Sequence, residues 1–253
     1  EDFNILKQQE SIKKEIEETT GMFSQILPFS DLEQEYQGNQ DFLRKIPYLS
    51  QKYSGFRRSR GDGNCFYRSF VFSLLEALIK EHQSSTSQLF EQVKQKVQYS
   101  VELFKQVGFE PICFEDFVET FTEKLDQTKE ISFSDLETQF EDKMLSDSLV
   151  MYARLLTSAY LRVNQDRFLG FVEGYGSIED FCKAEVDPMD KECEQLQVIA
   201  ITEAINLRVL IEYLDRSSSE ECETLVFPES YEGVDFQITL LYRPGHYDLL
   251  YPN

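Results

Sequence analysis

Phe66, Phe70, Leu74 and Leu78, with Val71 and Leu75 beside them, recur at spacings of three and four. That stripe is one wide apolar helix face, so it predicts a central buried helix beginning at Cys65. The same period marks helices over 86–107, 113–126, 134–143, 146–172 and 194–205, and over 146–172 it turns Leu149, Ala153, Leu156 and Tyr160 inward. Ser134-x-x-Glu137 and Ser177-x-x-Asp180 have the form of capping boxes. Residues 3–18 carry only Ile5, Ile12 and Ile16 among Lys, Gln and Glu, a thin stripe that suits a docking helix or a frayed terminus. Residues 31–53 read as one or two short helices broken by Gly38 and Pro47. The period then changes. "NLRVLIEYLD" (206–215) is a β-branched-rich run between polar residues, "FQITLLYR" (236–243) is a second strand, and Pro244-Gly245 turns the chain into the alternating "HYDLLY" (246–251). Helices first and strands last make the fold α+β, in one continuous domain.

Charge and cysteine usage narrow the function. Lys+Arg number 25 against 46 Asp+Glu, a formal net charge of −21, which argues against a nucleic-acid partner. No run approaches the roughly 18 apolar residues of a membrane span, so none is expected. Cysteines 65, 113, 182, 193 and 222 are odd in number and widely spaced, unlike a disulfide framework. With no Cys-x-x-Cys and only two histidines, a structural zinc site is not expected. A reducing, cytoplasmic setting fits this usage.

The start of the first helix asks for chemistry. "GDGNC" (61–65) places a thiol after two glycines and two small polar residues, where an apolar helix begins. A free thiol has a pKa near ~8.5, and the N–H groups and dipole of a helix N-terminus favour its thiolate. Asn64 is a good N-cap residue, and Gly61 and Gly63 can take positive φ and clear the approach to the sulfur. Such a loop can aim successive N–H groups at one point, as an oxyanion hole requires. A plain structural turn or an anion cradle would use similar residues, although the Gly-Lys-Ser/Thr of a P-loop is missing.

A nucleophilic cysteine needs a base. His82 lies at the far end of the same helix, about 25 Å from the thiol at 1.5 Å per residue, and reads as a surface or C-cap residue. His246 opens the last strand, sharing a face with Asp248 and Leu250, while Tyr247, Leu249 and Tyr251 share the other. A carboxylate two residues on can accept the Nδ1 proton and hold Nε2 toward a thiol. Asp62, if it faced a reacting carbonyl, would repel the developing charge. It is expected instead to accept N–H bonds of its own turn, an architectural place in the site.

"GDGNCFYRSF" and "YRPGHYDLLY", with "FCKAEVDPMDKE" (181–192) and "IEYLDR" (211–216) between them, make the chain resemble the otubains among the OTU (ovarian-tumour) cysteine peptidases. The resemblance implies a papain-like fold with a central, mostly antiparallel sheet between helical layers. It implies a catalytic domain over 54–253 and an N-terminal helical extension over 1–53. It also implies a deubiquitinase, a thiol peptidase that cleaves the isopeptide bond after the C-terminal Gly-Gly of ubiquitin, in conjugates and polyubiquitin, with no cofactor and no metal. Position by position, Cys65 matches the family's nucleophile, His246 its general base, Asp62 the aspartate of the nucleophile loop and Asp248 the acid after the histidine. Some relatives carry Asn at that last position, and many carry Pro where this chain has Gly61. Ubiquitin ends in Arg-Leu-Arg-Gly-Gly, which implies acidic groups for the arginines and a narrow groove for the glycines. Ubiquitin-conjugating enzymes are further implied partners, through the helix expected over 3–18, and the location implied is cytoplasmic and nuclear. Three rivals differ in kind: a non-catalytic regulator on this fold that binds ubiquitin or a conjugating enzyme, a peptidase for another ubiquitin-like modifier, and a redox-regulated thiol protein.

Overall fold

The computed structural model describes residues 19–84 and 87–253. The helix expected over 3–18 lies outside the described residues. Five strands, β1 (Tyr53–Arg57), β2 (Arg208–Tyr213), β3 (Glu223–Phe227), β4 (Gln237–Arg243) and β5 (His246–Pro252), form one sheet in the order β1-β5-β4-β2-β3. The β1–β5, β5–β4 and β2–β3 pairings are antiparallel, and only β2–β4 is parallel. The major helices are α1 (Cys65–Gln83), α2 (Gln88–Gln106), α3 (Glu115–Gln127), α4 (Phe133–Phe140), α5 (Lys143–Val163) and α6 (Gln195–Ile205). The fold is α+β with a mostly antiparallel sheet, as the patterning and the resemblance led us to expect.

Strand alternation builds two cores. Ile238, Leu240, Tyr247 and Leu249 turn to one face, where they join Phe66, Phe70 and Leu74 of α1 and Leu149 and Leu156 of α5. Leu241, Leu250 and Phe56 turn to the other, against Phe29, Leu32, Phe42, Ile46 and Leu49. Those last five come from residues 29–52, which include the short helices Ser30–Glu35, Gln40–Leu43 and Ile46–Lys52. Each such side chain contributes about 1.5–3 kcal/mol by leaving water, so a one-residue slip of β5 would exchange both cores at once. That register holds His246 in place while α1 packs across β5 and β4.

Two strands were not anticipated. β1 reads "YSGFR" and does not alternate, because Arg57 is buried and pairs with Glu137 at 2.6 Å. β3 is an edge strand with mostly solvent-facing residues, so it lacks an apolar signature. The long helix expected over 146–172 ends at Val163, where Asn164 donates its Nδ2 to the Tyr160 carbonyl at 2.8 Å. The capping box of α4 is Ser132 with Asp135, two residues before the expected Ser134 and Glu137. Ser177 does cap, accepting the Asp180 N–H at 3.0 Å.

Candidate active site

Asn64 is the N-cap of α1 by position, but its side chain does not cap. The turn is closed by Asp62, whose Oδ1 accepts the Asn64 N–H at 3.0 Å. From the first turn of α1, Arg68 grips the same carboxylate with both terminal nitrogens at 2.7 Å, and it is fully buried. Burial pushes the Asp62 carboxyl up, yet the Arg68 guanidinium and the Asn64 N–H bring it below the ordinary carboxylate value. Asp62 is therefore an anion turned into the protein and neutralised there, not one facing the sulfur.

Of the two glycines in the loop, only Gly63 takes positive φ, +79°; Gly61 does not need its freedom there. A Cβ on Gly63 would stand 2.3 Å from the Asp190 carbonyl oxygen, so a glycine is required where the 187–193 segment crosses the loop. Asn64 ties the crossing: its Oδ1 accepts the Asp190 N–H at 3.0 Å and its Nδ2 donates to Asp190 Oδ1 at 2.9 Å. Arg154 of α5, also fully buried, donates to the Gly63 carbonyl at 3.0 Å, Asn64 Oδ1 at 2.8 Å, the Lys191 carbonyl at 2.6 Å and the Val186 carbonyl at 3.2 Å.

Across from this loop, Asp248 is fully buried at the start of β5. Its Oδ1 accepts His246 Nε2 at 2.8 Å and the Ser59 N–H at 3.1 Å. Its Oδ2 accepts Arg243 Nε at 2.9 Å and pairs with Nη2 at 2.7 Å. The ring is thus reversed from the expected arrangement: Nε2, not Nδ1, holds the carboxylate. Nδ1 faces the nucleophile loop, 3.8 Å from where a Gly61 Cβ would stand. Cys65 lies close enough to the same ring to act on it, and burial, the largest influence on the imidazole, opposes its charging. Asp248 and Cys65 overcome that and raise His246 from 6.5 to about 10. His82, by contrast, packs on the Phe90 ring at the far end of α1, 5.0 Å between centroids.

Cys65 is 3% exposed and lies in a cleft of about 250 Å³ with Cys193, Glu194, Tyr213, Tyr242 and Tyr247. Glu192 and Glu194 also line a wider cleft of about 660 Å³, with Glu173, Glu185 and Asp190. Among the described residues, no group of three or more His, Cys, Asp or Glu is placed to hold a metal ion. A sulfur at a helix N-terminus, beside an imidazole that a buried carboxylate holds, can exist as a thiolate–imidazolium pair able to attack a carbonyl.

The family model for Peptidase C65 Otubain matches residues 15–252. The chain belongs to the otubain peptidases. It is 41% identical over 249 residues to ubiquitin thioesterase OTUB1 of Homo sapiens, covering 98% of this chain and 89% of that one. It is 35% identical over 214 residues to ubiquitin thioesterase OTUB2 of Homo sapiens, covering 84% and 88%. The otubain fold is equally evident in solved structures. A complex of h/ceOTUB1 with ubiquitin aldehyde and UBC13~Ub matches with a TM-score of 0.89 and 30% identity over 100% of this chain and 98% of that one. A second, with ubiquitin aldehyde and UBCH5B~Ub, matches to the same degree.

Much of this otubain site escaped the linear reading. Residue type and spacing do not point to Arg68, Arg154, Asp190 or Arg243, and Asn64 does not play the capping role its position suggests. Position in an apolar helix does mark two of them. Arg68 sits in the first turn of the most apolar helix, and Arg154 lies beside Ala153 on the inward-facing stretch of α5. A charged residue in such a place must find buried partners.

Proposed function

We propose that this otubain hydrolyses the isopeptide bond after the C-terminal glycine of ubiquitin, with Cys65 as nucleophile. The observation that carries the reading is the His246 ring, bonded through Nε2 to the buried Asp248 and turning Nδ1 toward the loop whose sulfur opens α1. Cys65 thiolate attacks the glycine carbonyl and forms a tetrahedral oxyanion. Asp62 already occupies the Asn64 N–H, so the Cys65 N–H, free of any intrahelical partner at the first position of α1, is the donor beside the sulfur. The oxyanion collapses, the C–N bond breaks, and imidazolium His246 passes its proton to the departing lysine amine. A water deprotonated by His246 then cleaves the thioester, releasing the ubiquitin carboxylate and regenerating the thiol. Glu173, Glu185, Glu192 and Glu194, in the cleft next to Cys65, supply the negative charge that the arginines of the ubiquitin tail call for. Relatives that bear the name ubiquitin thioesterase, and complexes that contain both ubiquitin aldehyde and UBC13~Ub, support ubiquitin and conjugating enzymes as partners. The five free thiols support a reducing location, cytoplasmic and nuclear.

A ubiquitin carrying a C-terminal electrophile should form a single adduct, mapped by peptide mass spectrometry to Cys65. Labelling of another cysteine, or reaction only with probes built on other modifiers, would overturn the assignment. The reading also fixes a pH dependence. Because His246 is raised to about 10, the imidazolium that protonates the amine persists through neutral pH, and kcat should fall only as pH rises through about 10. The same shift adds stability that is complete below 6.5 and lost as pH rises through about 10. Asp248→Asn removes one raising partner, so the alkaline limb of kcat should move toward 6.5. A pH–kcat profile on a ubiquitin–fluorophore amide measures both. A limb near neutrality in the unaltered protein would contradict the proposed proton donor.

A further inference from the structure

Arg243, the last residue of β4, connects Asp248 to the layer of short helices on the far face of the sheet. Its Nε and Nη2 both meet Asp248 Oδ2, at 2.9 and 2.7 Å. Its Nη1 points the other way, to Glu35 Oε1 at 2.6 Å, with the Tyr36 hydroxyl at 3.4 Å. The second Glu35 oxygen accepts Arg58 Nη2 at 2.8 Å. Charges therefore alternate without a break along Arg58, Glu35, Arg243, Asp248 and His246, and the chain crosses from a surface helix to the imidazole.

We propose that Arg243 and, behind it, Glu35 are positioning residues for the hydrolysis proposed above, an inference that rests on that reading. A carboxylate turns easily about its last torsion, since sp³–sp² rotations are broad. Asp248 must present one oxygen to His246, and Oδ1 already accepts two donors, His246 Nε2 and the Ser59 N–H. Arg243 pins the other oxygen with two N–H groups and so fixes the plane in which Oδ1 faces the ring. The guanidinium fork is what permits this: three nitrogens in one plane reach two carboxylates on opposite sides. An ammonium at the same place is a single point and cannot hold both. Glu35 touches neither His246 nor Cys65 among the bonds described here. Its influence passes through the angle at which it holds Arg243. The N-terminal helical layer, where Glu35 sits half-exposed, thereby takes part in ordering the acid of the site.

The test compares Arg243→Lys, Glu35→Ala and the double variant. Arg243→Lys should lower kcat on a ubiquitin–fluorophore amide by about tenfold or more, with KM unchanged within about twofold, because it misplaces a reacting group without touching the ubiquitin surface. Glu35→Ala should lose a smaller factor in kcat. The double variant should lose no more than Arg243→Lys, since residues acting through one path are not additive. A readout independent of substrate accompanies the kinetics: the downfield proton resonance of the His246 Nε2–H, bonded to Asp248, should shift or broaden in both single variants. A kcat for Arg243→Lys within about twofold of the unaltered protein, or additive losses in the double variant, or an unmoved resonance would overturn the proposal. Should Arg243→Lys unfold, Glu35→Ala, at a half-exposed position, still decides through the resonance and kcat. If the unaltered protein does not cleave the ubiquitin amide, the deubiquitinase reading falls, and the resonance alone decides whether Arg243 orders Asp248.

Discussion

Cys65→Ala should reduce ubiquitin–amide hydrolysis by about 10⁴-fold or more, the scale on which hydrolases lose activity when their nucleophile is removed. The substitution deletes one sulfur from a side chain that is 3% exposed and disturbs little else. Asp62 and Arg68 still close the turn, Asp248 still holds His246, and the acidic cleft is untouched. His246 loses one of its two raising partners, so its imidazolium form becomes less favoured. Ubiquitin binding should persist, and the variant should melt within a few degrees of the unaltered protein. This separation decides between the proposed peptidase and a non-catalytic regulator on the same fold. A regulator would keep its biochemical effect with Ala at position 65, whereas a peptidase keeps binding and loses turnover. Isothermal titration with ubiquitin alongside fluorogenic hydrolysis reads both quantities in one preparation.

The parts of the molecule that were legible in sequence are those with a strong period and one buried side. α1 was readable because Phe66, Phe70, Leu74 and Leu78 line one face, and β5 because its residues alternate between two cores. β1 and β3 were not, for opposite reasons. β1 buries a charged Arg57 that pairs with Glu137, a residue eighty positions away, and β3 lies at an edge where solvent accepts almost any side chain. Period reports burial, and it fails wherever burial is polar or absent.

The site divides in the same way. Cys65, His246 and Asp248 announce themselves through local context, a turn into a helix and a two-residue strand spacing. Their supports are contacts between distant segments: Asn64 with Asp190, Asp62 with Arg68, and Arg243 with Glu35, 208 residues apart. The ring orientation of His246, with Nε2 on Asp248 and Nδ1 toward the nucleophile loop, likewise depends on how the ring is turned among its neighbours and not on residue type. Strand alternation places Asp248 on the face of His246 but is silent on which ring nitrogen meets it.

Arg154→Met should produce the largest loss of stability among the substitutions considered, and the reason lies in what the guanidinium leaves behind. Its acceptors are the carbonyls of Gly63, Val186 and Lys191 and the amide oxygen of Asn64. It also lies over the Tyr67 ring, 4.7 Å from the centroid. Methionine fills part of the volume and donates nothing. Asn64 Oδ1 keeps the Asp190 N–H, so three carbonyls are orphaned, and at about 1 kcal/mol each, the low end of the usual range, the cost is ~3 kcal/mol. For a chain of this length that corresponds to a fall in Tm of about 10 °C. Three of the four acceptors lie in the nucleophile loop or on the segment that crosses it, so turnover should suffer beyond any population of unfolded protein. A loop displaced by about an ångström can cost about 10²-fold in kcat. Cys193, 6% exposed on the segment just past the crossing, reports that displacement directly. Its alkylation by iodoacetamide should accelerate in Arg154→Met well below the melting transition, while buried Cys182, whose sulfur lies against the Ser158 carbonyl of α5, stays protected. Equal acceleration at both cysteines would mean global opening and would remove the case for Arg154 as the anchor of this loop.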